Sequence, residues 1–428
     1  MTEPSLFGAE VAQAIAELDP KLPLLAVHNR LRKRLGHELG RQASELVELR
    51  KRALGKLGTG HAPFLTRKGL EQASHPSVAA LRARRIAGRA SQIWDATSGI
   101  GSDSLALCAR GTLLAGSDLD AHTALCAQAN LNDAGYSTQI LRADASHPPF
   151  RIHGKRPDGV LIDPDRRAQG ARSLDPQAWS PTLSRSLELV RSFGGGCLKL
   201  PPSLAPEQSD ALEECRAEWT SVSGNLVEVT LWAGSWALGP RERAAVLIDA
   251  RGEAQRLAGQ PSSVEALGSI EAAQVTWMAE PDPAVIRSGL LGALAKSVGM
   301  RPLGPQIAYL GGAERPPGPF LRSWKVLGSA ALDRKRVRHL LGEHDIGPIH
   351  VRKRGHPDEA EILARRFAGP GTRRGHLAIA RLEKGHLALL LEPGDGLQAG
   401  SSGQKAARSG QEERLVGDEG FEPPTSSV

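Results

Sequence analysis

The chain has 428 residues, more than one ordinary compact domain needs, so two or three domains are expected. Hydrophobic residues make up 40% and aromatics only 4%, which predicts a core filled by Ala, Leu and Val instead of rings. Lys and Arg number 54 against 47 Asp and Glu, a formal charge of +7 that suits a polyanionic partner. No window approaches the run of about 18 apolar residues that a membrane helix needs. The acidic, amphipathic start MTEPSLFGAEVAQAIAELDP lacks the basic and apolar regions of a secretory signal. Cys108, Cys126, Cys197 and Cys215 form no C-x-x-C pair. That argues against a zinc knuckle or a disulfide scaffold and predicts a reducing, cytoplasmic setting.

Residues 1–90 are expected to be a helical region. AEVAQAIAEL, the long stretch LLAVHNRLRKRLGHELGRQASELVELRKRAL and SVAALRARRIAG place apolar residues at three- and four-residue intervals. Between Arg30 and Lys56 there are nine Lys/Arg and three Asp/Glu, a charge density that by itself fits a solvated helix face.

From Ser91 the texture becomes strand, helix, strand. SQIWDA, GTLLAGSD, TQILRAD, DGVLIDP and GCLKLPP read as strands; SLALCARG, HTALCAQANLNDAG, LSRSLELVRSF and EQSDALEECRAEW read as helices. Such alternation predicts an α/β domain over 91–255 with a parallel sheet covered on both faces. NLVEVTLWA and RAAVLIDA are separated by so few residues that an antiparallel hairpin is expected. Over 278–393 the pattern is that of a small α+β domain. AVIRSGLLGALAKSVG and RKRVRHLLGEHDI read as helices, and WKVLGSA, GPIHVRKRG, HLAIARLE and GHLALLLEP as strands. Arg315 to Lys384 holds 16 Lys/Arg against 7 Asp/Glu, so the positive charge is concentrated there. Residues 394–428 lack periodicity and are expected to be disordered. Their Gly-Phe-Glu-Pro-Pro-Thr can be encoded by DNA containing the T-arm of a tRNA gene, which suggests a reading frame running into such a gene.

The most informative stretch is Ile93-Trp-Asp-Ala-Thr-Ser-Gly-Ile-Gly-Ser-Asp103. A strand enters a turn with glycines at 99 and 101, where a ligand can approach without meeting a Cβ. A dinucleotide fingerprint would put a third glycine where Ser104 stands, and no Lys-Ser/Thr follows to make a phosphate loop. Asp95, ahead of the glycines, completes a D-x-x-x-G-x-G-x-D pattern. The next strands end at Asp118, with Asp120 following, and at Asp144. A single such Asp is usually a helix cap, but three on successive strand ends mark the edge where open α/β sheets bind ligands.

This arrangement resembles motif I and the succeeding acidic positions of class I S-adenosylmethionine-dependent methyltransferases. The resemblance implies a Rossmann-like sheet and S-adenosylmethionine as cofactor, contacted by Asp95, Thr97, Gly99, Gly101, Asp118 and Asp144. The fourth strand ends Val160-Leu-Ile-Asp-Pro-Asp-Arg-Arg167, which resembles the D/N-P-P-Y/F motif of amine methyltransferases. The resemblance makes Asp163 and Pro164 the catalytic pair that positions an acceptor amine, since this chemistry is chiefly positioning. Asp165 and Arg166 replace the second proline and the stacking ring; Trp179 is a candidate substitute platform, with ordinary packing as the alternative.

Beyond these motifs the layout is similar to a bacterial methyltransferase family with a helical N-terminal region and a C-terminal THUMP-like, ferredoxin-related domain. FLTRKGLEQASHPSVAALRARRIA, IDPDRR, WSPTL, VEVTLW, AEPDPAVIRSGLLGALA, IAYLGG and IGPIHVRKRG carry the likeness over roughly residues 60 to 393. THUMP modules are associated with RNA modification, so the resemblance implies RNA as partner and a nucleobase, such as a guanosine amine, as acceptor. Arg352, Lys353 and Arg354 are candidate phosphate contacts, or else a charged edge that discourages strand pairing. The histidines show no metal-binding spacing, and no metal is expected. The alternatives are a small-molecule or protein methyltransferase, and an RNA-binding protein built on an inactive methyltransferase fold.

Overall fold

A computed structural model describes residues 6–58, 63–148, 151, 154–166, 173, 175–203, 215–237 and 243–393. The expected disordered tail, Arg167 and most of the helix expected over EQSDALEECRAEW lie outside the described residues. The chain divides into two compact units, residues 1–222, 227–242 and 248–254 in one and residues 223–226, 243–247 and 255–428 in the other.

The first unit opens with α1 (Ala9–Ala16), α2 (Leu24–Leu35), α3 (His37–Leu57), α4 (Arg67–Gln72) and α5 (Pro76–Ala87). The long basic stretch is therefore two helices, parted at Gly36, whose φ of 84° no helix residue adopts. The alternating region then gives β1 (Ile93–Asp95), α6 (Ser102–Cys108), β2 (Leu113–Asp118), α7 (Ala121–Asp133), β3 (Ile140–Arg142) and β4 (Gly159–Ile162). A 3-10 turn (Pro176–Ala178) and α8 (Leu183–Ser192) precede β5 (Gly195–Leu200), β6 (Arg216–Val222) and β7 (Asn225–Gly234).

These strands lie in the order β3-β2-β1-β4-β5-β7-β6. β3, β2, β1, β4 and β5 are mutually parallel, and β7 runs antiparallel to β5. The order reverses at β1, so β1 and β4 leave side by side at the switch point where such sheets bind ligands. Ile93, Leu107, Leu113, Leu131, Leu161, Cys197 and Trp232 fill the core under the sheet. A second cluster joins Leu46, Leu49, Ala53 and Leu57 of α3 and Leu70 of α4 to Ile100 and Cys126, which packs the helical region against the glycine turn and α7. Full burial of each such Leu or Ile contributes about 1.5–3 kcal/mol.

Two expectations are corrected here. The segment RAEW is strand β6 instead of a helix end; its charges suggested a helix surface, but they are paired inside the protein. Glu218 is buried against Arg85 and Arg216 and accepts the Trp232 indole N–H at 2.9 Å. The expected NLVEVTLWA–RAAVLIDA hairpin does not form either, since both edges of β7 are taken by β5 and β6.

The second unit begins with β8 (Arg243–Ile248) and its neighbour β9 (Ala254–Gly259), followed by α9 (Ser269–Ala273). Then come β10 (Trp277–Pro281), α10 (Pro283–Arg287), α11 (Leu291–Ser297), β11 (Arg301–Pro302), β12 (Leu310–Gly312) and β13 (Leu321–Ala331). It closes with α12 (Arg334–Glu343), β14 (Ile346–Arg354), α13 (Ala360–Phe367), β15 (Arg373–Arg381) and β16 (His386–Leu391). Seven strands form one sheet, β11-β12-β10-β13-β16-β15-β14. β14 and β15 are parallel, as the α13 crossover between them requires, and β15 and β16 are antiparallel. The expected single helix over AVIRSGLLGALAKSVG is broken into α10 and α11 by Ser288, Gly289 and Leu290.

Candidate cofactor and acceptor site

β1 delivers Asp95 to the base of the glycine turn, buried at 1% exposure. Its carboxyl accepts the Ser104 hydroxyl at 2.5 Å, and the Ser98 hydroxyl donates to its backbone carbonyl at 3.1 Å. Burial, with the Asp103 charge nearby, pushes its pKa up to about 7. Asp95 is thus a floor beneath the turn. Gly99 and Gly101 have φ of 56° and 89°, and Gly101 caps the start of α6. A Cβ at Gly99 would meet nothing within 4 Å, so that side of the turn is open to a ligand.

Asp118, at the end of β2, accepts the Gly99 N–H at 3.0 Å and the Asp120 N–H at 3.0 Å. Burial nonetheless raises its pKa, and those two donors oppose the rise. Asp120 is the cap of α7, accepting the Thr123 N–H at 2.8 Å, so here the bland role of a loop-starting Asp applies. Asp144 follows β3, half-exposed. It accepts the Ser146 N–H at 2.8 Å, which holds its pKa low, and meets His147 Nδ1 at 3.0 Å. The glycine turn and the carboxylates at 118 and 144 therefore share one edge of the sheet.

Next to this edge, Asp163 directly follows β4. Its backbone N–H donates to Thr97 Oγ1 at 2.6 Å, which ties the end of β4 to the glycine turn. Its carboxylate Oδ2 accepts the Lys199 ammonium of β5 at 2.6 Å. Pro164 follows, then Asp165, which is held from both sides. Its backbone forms a β-bridge with Ser180, and its carboxylate accepts Lys68 at 2.7 Å and Gln72 at 3.3 Å. Lys68 and Gln72 lie on α4, so the stretch KGLEQ latches the loop where a second proline would otherwise stiffen it.

α4 is itself fixed. Lys56 donates to the carbonyls of Leu70 and Glu71 at 2.7 and 2.6 Å, and the Asn130 amide exchanges two 2.8 Å bonds with the Phe64 backbone. Below lies buried Arg82, paired with Asp103 and Glu228, and Ser74 donates to Asp103 at 2.6 Å. Sequence reasoning missed Lys199, Lys68, Gln72 and Arg82. The signal for Lys199 was one charged residue in the otherwise apolar strand GGCLKL.

Three expectations fare differently. Trp179 is 3% exposed, with its indole N–H donated to the Ser173 carbonyl at 3.0 Å, so it is packed and presents no open stacking face. Arg352 and Arg354 both pair with Glu280, at 3.1 and 3.0 Å, and lie over the rings of Trp324 and Tyr309. They are structural more than free phosphate grips, because one carboxylate is shared between them. Lys353 donates to the His356 carbonyl at 3.3 Å. Among the described residues no helix is long and apolar enough to cross a membrane, and no group of three or more His, Cys, Asp or Glu could hold a metal.

A family pattern described as THUMP domain-like matches residues 321–393. Over 359 residues the chain is 34% identical to an uncharacterized S-adenosylmethionine-dependent methyltransferase of Mycobacterium tuberculosis, covering 81% of this chain and 95% of the relative. A second strain of that organism gives the same figures. A solved structure from Porphyromonas gingivalis, assigned as a methyltransferase, has a TM-score of 0.70 at 17% identity over 90% of this chain and 97% of that one. It shares the fold. With one-third identity spanning nearly the whole relative, the chain belongs to the S-adenosylmethionine-dependent methyltransferases, enzymes whose cofactor is S-adenosylmethionine, and carries a THUMP-like domain at its C-terminal side.

Proposed function

We propose that the enzyme methylates a nucleobase amine in RNA. Thr97, Gly99, Gly101, Asp118 and Asp144 would line the cofactor, with Asp95 buried beneath them as the floor of the turn, and Asp163 and Pro164 would hold the acceptor. The open face of Gly99 and the carboxylate of Asp118 directly behind it suit a ribose lying on the turn. Asp144, more exposed, suits an adenine amino group. When bound, S-adenosylmethionine supplies an electrophilic methyl group. The protein's part is to orient the acceptor: Thr97 fixes the Asp163 backbone, and Lys68 and Gln72 fix the loop after Pro164.

The single observation that carries this reading is the Asp163-Pro164 pair lying beside the glycine turn and joined to it through Thr97. RNA is supported by the THUMP-like match and by the 16 Lys/Arg against 7 Asp/Glu over Arg315 to Lys384. The proposed division of labour is a catalytic domain over 91–255 and an RNA-holding domain over 278–393. A small-molecule acceptor is favoured by one feature, the pairing of Arg352 and Arg354 with Glu280. The test is transfer of tritiated methyl from S-adenosylmethionine to total RNA of a deletion strain, with nucleoside mass spectrometry of that RNA. A methylated nucleoside present in wild type, missing from the deletion strain and restored by the enzyme supports the reading; labelling of metabolites alone overturns it.

A further inference from the structure

Lys199 stands out because an ammonium group on a central strand has to be stabilised by neighbours. It lies on β5, its side chain 13% exposed, in register with Thr230 of β7. Its Nζ donates to Asp163 Oδ2 at 2.6 Å and to the Gln72 carbonyl of α4 at 3.0 Å. Gln72 in turn donates its side-chain amide to Asp165. Lys199 therefore joins strand β5, the loop after β4 and helix α4. Among the described residues no group donates to the other oxygen of Asp163, and that side chain is 36% exposed. One oxygen is clamped and the other faces out.

We propose that Lys199 is a positioning residue for methyl transfer: by holding Asp163 Oδ2 and the Gln72 carbonyl together, it presents Oδ1 as an ionised hydrogen-bond acceptor to a neutral N–H of the methyl acceptor. The inference rests on the reading of Asp163 as the acceptor-binding group. The charged groups facing the pair are Asp103, Glu228 and Arg82 from beneath and Lys56 from α3. Burial alone would lower the Lys199 pKa, but Asp163, Asp103 and Glu228 together raise it, so the ammonium stays charged. The Asp163 pKa lies above the ordinary carboxylate value because burial raises it, with Lys199 the main opposing influence.

The chemistry selects its acceptor. A neutral amine donates one N–H to Oδ1 and keeps its lone pair for attack. That lone pair forms the N–CH3 bond as the CH3–S bond breaks, leaving the electron pair on sulfur. The methylated nitrogen, now positively charged, releases its proton to water. The neutral amine attacks with its own lone pair, so proton removal before attack is not required. A carbon acceptor, with no N–H to donate, would gain little from this arrangement.

The test uses the full chain, with Lys199→Met, Lys199→Arg and Asp163→Asn. First, the side-chain carboxyl of Asp163 is titrated by NMR in protein labelled with [13C]aspartate, its signal identified by loss in Asp163→Asn. Lys199→Met should move the midpoint up by one pH unit or more, and Lys199→Arg should leave it near wild type. An unmoved midpoint in Lys199→Met overturns the proposal. Second, initial rates of tritium transfer to RNA of a deletion strain are followed from pH 5 to 9. Lys199→Met should be at least tenfold slow at pH 6 and regain rate towards pH 9, with S-adenosylmethionine affinity within twofold of wild type. Equal loss at every pH, or loss of cofactor binding, reduces Lys199 to a structural role and also overturns it. Wild-type rate in a further variant, Asp163→Ala, which has no side-chain acceptor, sinks the reading of Asp163 separately, and a wild-type enzyme inert on RNA sinks only the RNA reading, the titration still deciding Lys199.

Discussion

Asp118 and Asp95 sit at the ends of neighbouring strands, yet they should respond differently to mutation. Asp118 has a carboxylate behind an open turn, so Asp118→Ala should weaken S-adenosylmethionine binding by roughly 1.5–3 kcal/mol, about ten- to a hundredfold. Calorimetry on a folded variant with unchanged affinity would remove Asp118 from the site. Asp95 is buried, and its pKa near 7 lies well above the ordinary carboxylate value. Its stabilising contribution is full below about pH 4 and is lost as pH rises through about 7, because the folded state binds the proton more tightly. Asp95→Asn should flatten that slope and add stability at pH 8 on the order of a few kcal/mol. Urea denaturation at pH 5 and pH 8 reads it, and a slope identical to wild type would mean that Asp95 is ionised in the fold. The glycine turn and the three strand-end carboxylates were visible in the sequence because a turn needing positive φ leaves a short-range mark. Lys199 and Arg82 left little, since their partners lie far along the chain.

Elements show the same contrast. Strands β1 to β5 were legible from alternation with helices, whereas β6 was hidden behind its charges. Arg216 and Glu218 look like a helix surface until Arg85 and Trp232 are seen to satisfy Glu218. Helix α4 escaped notice because six residues carry little periodicity, although they fall within FLTRKGLEQASHPSVAALRARRIA, one of the strings that carry the family likeness. Its placement depends on Gly69, where a Cβ would come within 2.2 Å of the Ile100 methyl and 2.7 Å of Thr66 Oγ1. Gly69→Ala should therefore destabilise the protein by about 1–3 kcal/mol and loosen the Asp165 latch. Thermal denaturation measures the first effect, and faster amide exchange at Asp165 and Ser180 the second. A variant as stable as wild type, with unchanged exchange, would show that α4 tolerates the added methyl group.

Across the whole molecule, the positive charge of the second unit must be divided between what the fold consumes and what it exposes. Arg352 and Arg354 are consumed by Glu280, while Arg334, Lys335 and Arg336 on α12 are exposed. Reversing the α12 trio to Glu should weaken RNA binding across sequences. It should also make the salt dependence shallower, by about 0.7 in log–log slope for each single-strand phosphate that is no longer neutralised. Arg352→Glu with Arg354→Glu should instead lower the melting temperature, because Glu280 would be left among like charges. Fluorescence anisotropy with a single-stranded RNA oligomer at several salt concentrations reads the first effect and thermal denaturation the second; no response to the α12 trio would count against the proposal that this unit holds RNA. The charge excess was readable in the sequence, but its allocation was not, since it depends on a carboxylate some seventy residues away.

The bonds that hold the proposed acceptor end reach far along the chain: Lys68 to Asp165 spans 97 residues, and Lys199 to Gln72 spans 127. Helices α2 and α3 can pair as soon as they are synthesised, but the latch must wait for β4 and β5. Long-range closures of this kind come late in folding because the chain entropy is lost before the contacts reward it. At about 5–20 residues per second, some 6–25 s separate synthesis of Gln72 from that of Lys199. A nascent chain therefore contains its glycine turn well before this latch can close, and a chain cut short before β5 would lack the Lys199 bonds to Asp163 and Gln72.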